Sequence, residues 1–296
     1  MRENLIKQDI ALISTKSIKE FRIIRAKSGV HVYKCRYDGH NAVVKYFENE
    51  SDRREIANYQ ILERHKIPTI KTLAIGKSAI VLEDIEQSET WRLGIEGDLQ
   101  DTDVAKGLAN WYFTFHENGL SAPELNTLYF EYDSITSDNL KRLMTKLPEG
   151  VALFEFLSSH YDKLRELIFT PAFVLTYNDF YWTNFVVRKD KADAMMFDYN
   201  LLGRGYRYSD FRNVCSSLSK QAGHMFMTEY RRLYSEKYGY HLIESEHLEK
   251  QIDEVLSPLF ALITAYEREH FPKWAEAERE KVINGKLLSK ARKLLL

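Results

Sequence analysis

Asp179 and Asn184 stand five positions apart in Tyr177-Asn178-Asp179-Phe180-Tyr181-Trp182-Thr183-Asn184, and Phe185-Val186-Val187 leads on towards Asp198. Such a set can carry phosphoryl transfer. One carboxylate orients a hydroxyl for attack, while an amide oxygen and a second carboxylate are hard ligands for Mg2+. A short loop would hold the first two, and a β-hairpin would bring the third back beside them. An Asp-x4-Asn match is common by chance, so the weight falls on what precedes it.

Phosphoryl transfer also needs a lysine on a strand, a helix glutamate to hold it, and a glycine near the phosphates. All three occur in that order. Residues 21–27 read as a strand, Ser28-Gly29 as a turn, and residues 30–37 as a second, alternating strand. Asp38-Gly39 is a hairpin signal, and residues 41–47, containing Val43-Val44-Lys45, read as a third strand. Residues 51–62 read as a helix opened by good capping residues, with Glu55 within reach of Lys45. Each piece alone has a plainer meaning. A strand lysine is usually a solvated edge residue, Glu55 could pair with Arg53 or Arg54, and Ser28-Gly29 could be only a turn. Their joint order selects the chemical reading.

With these residues in place, the chain resembles the aminoglycoside phosphotransferase and choline kinase family, from about residue 20 to at least 220. Ser28-Gly29 with Tyr33 is similar to that family's nucleotide loop, and Val81-Leu82-Glu83-Asp84-Ile85 to its hinge. The helix ending His116-Glu117-Asn118-Gly119, the Asp179-x4-Asn184 loop, Asp198, and Asp210-Phe211 complete the likeness. The resemblance implies an α+β, bilobal, protein kinase-like fold. It implies a small antiparallel-sheet lobe over residues 1–85 for the nucleotide. It implies a larger, mainly helical lobe over 86–296 for catalysis and substrate. Ser28, Gly29, Lys45, Glu55, Leu82, Glu83 and Ile85 would bind the nucleotide, with the Glu83 carbonyl and Ile85 amide reading the base. Asn184 and Asp198 would hold Mg2+, and Asp179 would orient the acceptor hydroxyl. Backbone contacts to the base leave ATP and GTP undistinguished, ATP being the expected donor.

The family usually reads His-Gly-Asp-x-His-Pro-x-Asn. Here Tyr177, Asn178, Tyr181 and Trp182 replace the two histidines, the glycine and the proline, while Asp179 and Asn184 stay. Only twelve positions separate Asp198 from Asp210, no Ala-Pro-Glu follows, and Asn178 stands where a protein kinase has arginine. A small-molecule hydroxyl is therefore the expected acceptor. A protein kinase acting on a partner and a non-catalytic nucleotide-binding module are the alternatives.

Composition fits this reading. The 296 residues suffice for two lobes with real cores, and the net charge of −1 gives no pull towards nucleic acid or anionic membrane. The two cysteines, Cys35 and Cys215, have no metal-ligand spacing and read as buried thiols in a reducing compartment. Without an apolar signal core or an apolar run of about 20 residues, a cytoplasmic protein is expected, as a monomer or weak homodimer.

Long helical patterns take over beyond Asp98, at 103–117, 138–146, 151–169, 209–218, 222–238, 244–269 and 273–295. Two features hint at a cationic acceptor. One is the acidic residues around the linker (Glu83, Asp84, Glu86, Glu89, Glu96, Asp98, Asp101, Asp103) and in a late helix (Glu244, Glu246, Glu249, Asp253, Glu254). The other is an aromatic set, Tyr177, Tyr181, Trp182, Tyr199, Tyr206 and Tyr208, able to box an ammonium by cation–π contact. The plainer alternatives are solvated helix faces and core packing.

Overall fold

The structure, a computed structural model, describes residues 2–239 and 243–296, without the side chains of 243–245. Its small lobe begins with α1 (Arg2–Ala11), β1 (Ile18–Lys27), β2 (Val30–Tyr37) and β3 (His40–Phe47). A 3-10 turn at Glu50–Arg53 leads into α2 (Arg54–Arg64), then β4 (Thr72–Ile75) and β5 (Ala79–Glu83). The strands form one antiparallel sheet in the order β1-β2-β3-β5-β4.

Alternation along β3 explains where Lys45 goes. Successive strand side chains point to opposite faces. Ala42, Val44 and Tyr46 pack with Ile6 and Ile10 of α1 on one face. Lys45 and Phe47 therefore face the other way, where Phe47 meets Ile56 and Tyr59 of α2. The sheet is thus covered on both sides at β3, while β1 at its edge is largely exposed.

The large lobe is built on α3 (Thr102–Gly119), whose first turn is capped by the Asp101 carboxylate on the amides of Asp103 and Val104. The helices α4 (Ser137–Lys146), α5 (Val151–Ser159) and α6 (Tyr161–Ile168) follow. Two small sheets carry the site: β7 (Val174–Thr176) pairs with β10 (Gly203–Gly205), and β8 (Phe185–Arg188) lies between β6 (Trp91–Leu93) and β9 (Ala194–Met196). The chain ends in α7 (Arg207–Ser217), α8 (Lys220–Tyr238), α9 (Ile243–Tyr266), α10 (Glu276–Ile283) and α11 (Lys286–Leu295). The architecture is bilobal α+β, as expected: an antiparallel small-lobe sheet and a mostly helical large lobe. One core runs from Phe47, Ile56 and Leu82 to Leu108, Trp111 and Phe211, and a second lies among α4, α5, α9 and α11.

Two expected helices are broken. The 151–169 pattern divides at His160, where the Phe156 carbonyl accepts from both the His160 amide (3.2 Å) and its Nδ1 (2.9 Å). The 273–295 pattern is a 3-10 turn followed by α10 and α11, separated by Gly285 at φ +74°. The expected helix at 51–62 starts as the 3-10 turn and becomes α-helical at Arg54, without a side-chain cap. Of the thiols, Cys35 is buried and Cys215 half-buried; burial pushes them up to about 12 and about 11. Among the described residues, no helix is long and apolar enough to cross a membrane.

Candidate active site

Lys45 Nζ reaches both oxygens of Glu55, at 2.6 and 2.7 Å, and Asp198 Oδ1 at 3.0 Å. It thereby joins a strand, a small-lobe helix and a large-lobe loop. Burial pushes the Glu55 carboxyl up to about 7 against the pull of Lys45. Burial also disfavours the Lys45 ammonium, but Glu55 and Asp198 outweigh it and hold Lys45 above its usual value.

The loop bearing Asp179 leaves β7 and is fixed from below by Asp210, a fully buried carboxylate in the first turn of α7. Asp210 accepts the Tyr177 amide at 3.1 and 3.2 Å and the Asn178 amide at 3.3 Å. His116 Nε2 lies 3.1 Å from Asp210, and its Nδ1 lies 2.8 Å from the Tyr230 hydroxyl. Burial lowers the His116 pKa, so the neutral ring donates from Nε2 and accepts at Nδ1. These are the two outlying residues of the family resemblance, and they meet under the loop.

The substitutions in the loop have visible reasons. Asn178 sits at φ +64°, a left-handed conformation that glycine and asparagine tolerate best. Its Nδ2 donates to Thr176 Oγ1 (2.9 Å) and the Leu201 carbonyl (3.1 Å). The Tyr177 hydroxyl donates to the carbonyls of Phe197 (2.5 Å) and Asp198 (3.1 Å), bracing the turn where Asp198 lies at φ +65°.

Asn184 Nδ2 donates to Asp179 Oδ2 and to its carbonyl, both at 3.1 Å. Burial, then the nearby Asp198 charge, raises the Asp179 pKa. The Asn184 carbonyl accepts the Phe197 amide at 2.9 Å, which ties the loop directly to the Asp198 turn.

A cleft opens between the lobes. Its outer part is lined by Leu82, Glu83, Ile85, Asn184 and Asp198, with Lys45 at its back. Its inner part is lined by Ser28, Lys45, Glu55 and Asp198. Gly29 is absent from these walls: at φ +81° it completes the β1–β2 turn, and a Cβ there would stand 2.5 Å from Asn49 Nδ2. Asp179 is also outside them, attached to the cleft through Asn184. The Glu83 carboxylate turns away to the Lys71 amide (2.6 Å).

Mg2+ is tested on the donor set. Among the described residues there is no cluster of three or more His, Cys, Asp or Glu suited to a metal. Yet Asn184 and Asp198 both line the cleft, and the amide of Asn184 faces Asp179 with its nitrogen, while its oxygen accepts the Thr183 hydroxyl at 3.2 Å and keeps a second lone pair as a hard donor. Mg2+ commonly takes one or two protein oxygens and completes its shell with phosphates and water. The pair fits that use.

The hints of a cationic acceptor find structural partners. Tyr177 and Tyr199 are fully buried in the inter-lobe core. Tyr206 is buried in the second core and donates to the Ile168 carbonyl, while Tyr181 is 54% exposed beside Trp182. They do not surround one space. Asp98 is held by Arg92, Asp101 by Lys191 and the α3 amides, Asp84 and Glu86 by Lys34. Glu246 pairs with Arg231, Glu254 with Lys290 and Asp253 with Arg212, and Glu249 accepts the Tyr208 amide. The Glu244 side chain lies outside the described residues. Sequence reasoning missed Asn58, whose Nδ2 donates to the Tyr199 carbonyl (2.7 Å) and ties α2 to the Asp198 turn. It also missed the cations Arg25, Lys27 and Arg54 in the inner wall.

No protein-family profile matches the chain. No curated protein matches it either. Solved structures do. A putative fructosamine-3-kinase from Thermobifida fusca superposes with a TM-score of 0.62 at 13% identity, over 98% of this chain and 99% of that one. The macrolide 2'-phosphotransferase MphH of Brachybacterium faecium gives 0.61 at 14%, over 95% and 96%. The choline kinase LicA of Streptococcus pneumoniae gives 0.59 at 16%, over 97% and 99%. The chain has the bilobal kinase-like fold of these small-molecule phosphotransferases across nearly its full length.

Proposed function

We propose that the protein transfers the γ-phosphate of ATP to a hydroxyl of a small molecule. The observation that carries this reading is the Lys45 ammonium bonded at once to Glu55 and to Asp198, beside the Asp179–Asn184 pair. In this reading residues 1–85 are the nucleotide-binding lobe and 86–296 the catalytic and acceptor lobe. Lys45, held by Glu55, contacts the α- and β-phosphates. Leu82, Glu83 and Ile85 border the base, and Ser28 and Gly29 form the turn above the phosphates. Asn184 and Asp198 would hold Mg2+, which supplies charge compensation on the phosphates when bound.

Asp179 accepts a hydrogen bond from the acceptor hydroxyl and aims its oxygen at the γ-phosphorus. The transition state for such transfer is loose, so positioning and electrostatics supply most of the rate. Asp179 need not be a strong base, and its raised pKa suits a group that receives a proton as the bond forms. The named neighbours include acting enzymes for a macrolide and for choline, and the acceptor here belongs to the same broad class of hydroxyl-bearing small molecules. An amine-bearing acceptor is the first class to screen.

The test is magnesium-dependent ATP consumption against a panel of amines, aminoglycosides and sugar alcohols. We expect one class to raise consumption, with the phosphate recovered on a hydroxyl. Absence of stimulation by every class, together with phosphate appearing on protein, would move the reading to a protein kinase.

A further inference from the structure

We propose that the phosphate chain of the donor is gripped by three side-chain cations, Arg25, Lys27 and Arg54, in place of a glycine-rich loop. This rests on the nucleotide reading of the cleft.

The first observation concerns the loop. Gly29 is the only glycine between β1 and β2. It is committed to the turn, its carbonyl accepting the Glu48 amide at 2.9 Å and its open side packed against Asn49. Ser28 shares the turn at φ +50°. A glycine-rich loop wraps phosphates with converging amides because the backbone can approach closely. A two-residue turn with its one glycine committed cannot supply that ring of donors.

The second observation is the charge of the inner wall. Its carboxylates are Asp52, Glu55 and Asp198, and Lys45 lies between the last two. With Lys45 as the only cation, that wall would be net negative and would repel a magnesium–triphosphate, itself an anion. Arg25, Lys27 and Arg54 make four cations against three carboxylates and reverse the sign. Arg25 and Lys27 are two apart on β1, so they share one face of the strand. Arg54 opens α2, next to Glu55. All three are exposed at the mouth, and none forms an ion pair with a described residue. Arg25 also borders the outer, base-side part of the cleft, so this cation stands where the two parts meet. A charge-assisted hydrogen bond to phosphate is worth roughly tenfold in affinity.

The test is calorimetry on the intact protein with MgATP and with adenosine, over a series of salt concentrations. One variant carries Arg25→Gln, Lys27→Gln and Arg54→Gln; a second carries Arg25→Lys and Arg54→Lys. Circular dichroism checks that each keeps the fold, as exposed substitutions should. We expect the glutamine variant to lose at least about tenfold in MgATP affinity and to show a shallower salt dependence. Adenosine affinity should stay within about twofold, and the lysine variant should remain near the parent for both ligands. MgATP affinity within about twofold of the parent in the glutamine variant, with Lys45→Met losing it, would overturn the cation grip and leave the nucleotide reading standing. A parent protein that binds neither ligand would overturn the nucleotide reading and the grip with it.

Discussion

The Nδ2 of Asn178 lies 2.8 Å from the point where a Cβ on Gly203 would stand, and the Tyr129 carbonyl lies 2.5 Å from it. The loop that carries Asp179 and the strand that follows Asp198 are therefore fitted through one missing side chain. Gly203→Ala should displace Asn178 or Tyr129 and cost about 1–3 kcal/mol by overpacking. Asn178→Ala should cost about 1 kcal/mol more than Asn178→Gly, since alanine pays for the left-handed backbone and glycine does not. Thermal unfolding of the three variants checks both statements.

Asp179→Ala should lower kcat by roughly 10²–10⁴, the scale of a positioned acid–base group. Its loss takes one acceptor from Asn184 Nδ2, which keeps the residue 179 carbonyl, and removes no nucleotide contact in the proposed scheme. MgATP affinity by calorimetry should change by less than about threefold. Loss of MgATP binding in a folded Asp179→Ala protein would contradict the assigned role.

Lys45→Met should raise the KM for ATP and lower kcat together, because in the proposed scheme the ammonium faces the phosphates before and during transfer. The fold should survive. Glu55, already pushed up to about 7 by burial, would take a proton instead of remaining charged without Lys45. Glu55→Gln should act in the same direction more weakly, and Asp198→Ala should abolish transfer in a folded protein. Steady-state kinetics with unfolding curves for the three variants separate these outcomes.

Glu249 gives a prediction in pH. Burial raises its carboxyl from 4.5 to about 7, against the pull of the Tyr208 amide and Arg207. In the folded state it holds a proton that the unfolded chain has released between those values. Stability from this group is therefore full below about pH 4.5 and falls as pH rises towards 7. Glu249→Gln should remove that slope, flattening the stability profile by on the order of 1–3 kcal/mol across the window. Denaturant unfolding of both proteins at several pH values measures it. Parallel profiles would show that Glu249 stays ionised.

The residues proposed for the chemistry stood out in the sequence because each combines an unusual type with a local pattern. The alternation of β3 places Lys45 opposite Ala42 and Val44, and the Asp179–Asn184 loop sits between two short apolar strands. What failed to show lacked local pattern. In α1, the neighbouring Leu5 is exposed while Ile6 and Ile10 are buried, so the sequence marks no clear face. The break at His160 follows from a side chain competing for the Phe156 carbonyl, which no composition announces. The break before α11 did carry a signal in Asn284-Gly285, a helix stop that the long apolar periodicity overrode. Asp253 reads as part of a charged cleft because its partner, Arg212, lies on another helix that sequence does not juxtapose, whereas Arg92 stands only six positions before Asp98 and its pairing was open to a local reading.

A third core, behind β3, ties α1 to the candidate site. Ile6 and Ile10 pack with Val44, on the reverse side of the strand carrying Lys45, and with its β5 partner Val81. A chain shortened past Ile10 would keep every residue of the cleft and still lose the backing of that strand. The Asp9 carboxylate would go with it, and with it the acceptor for the amides of Lys77 and Ser78 in the β4–β5 turn. Truncation or variation in this opening helix, remote from every motif, would thus be felt as weaker binding of the proposed nucleotide, with every proposed catalytic group still in place.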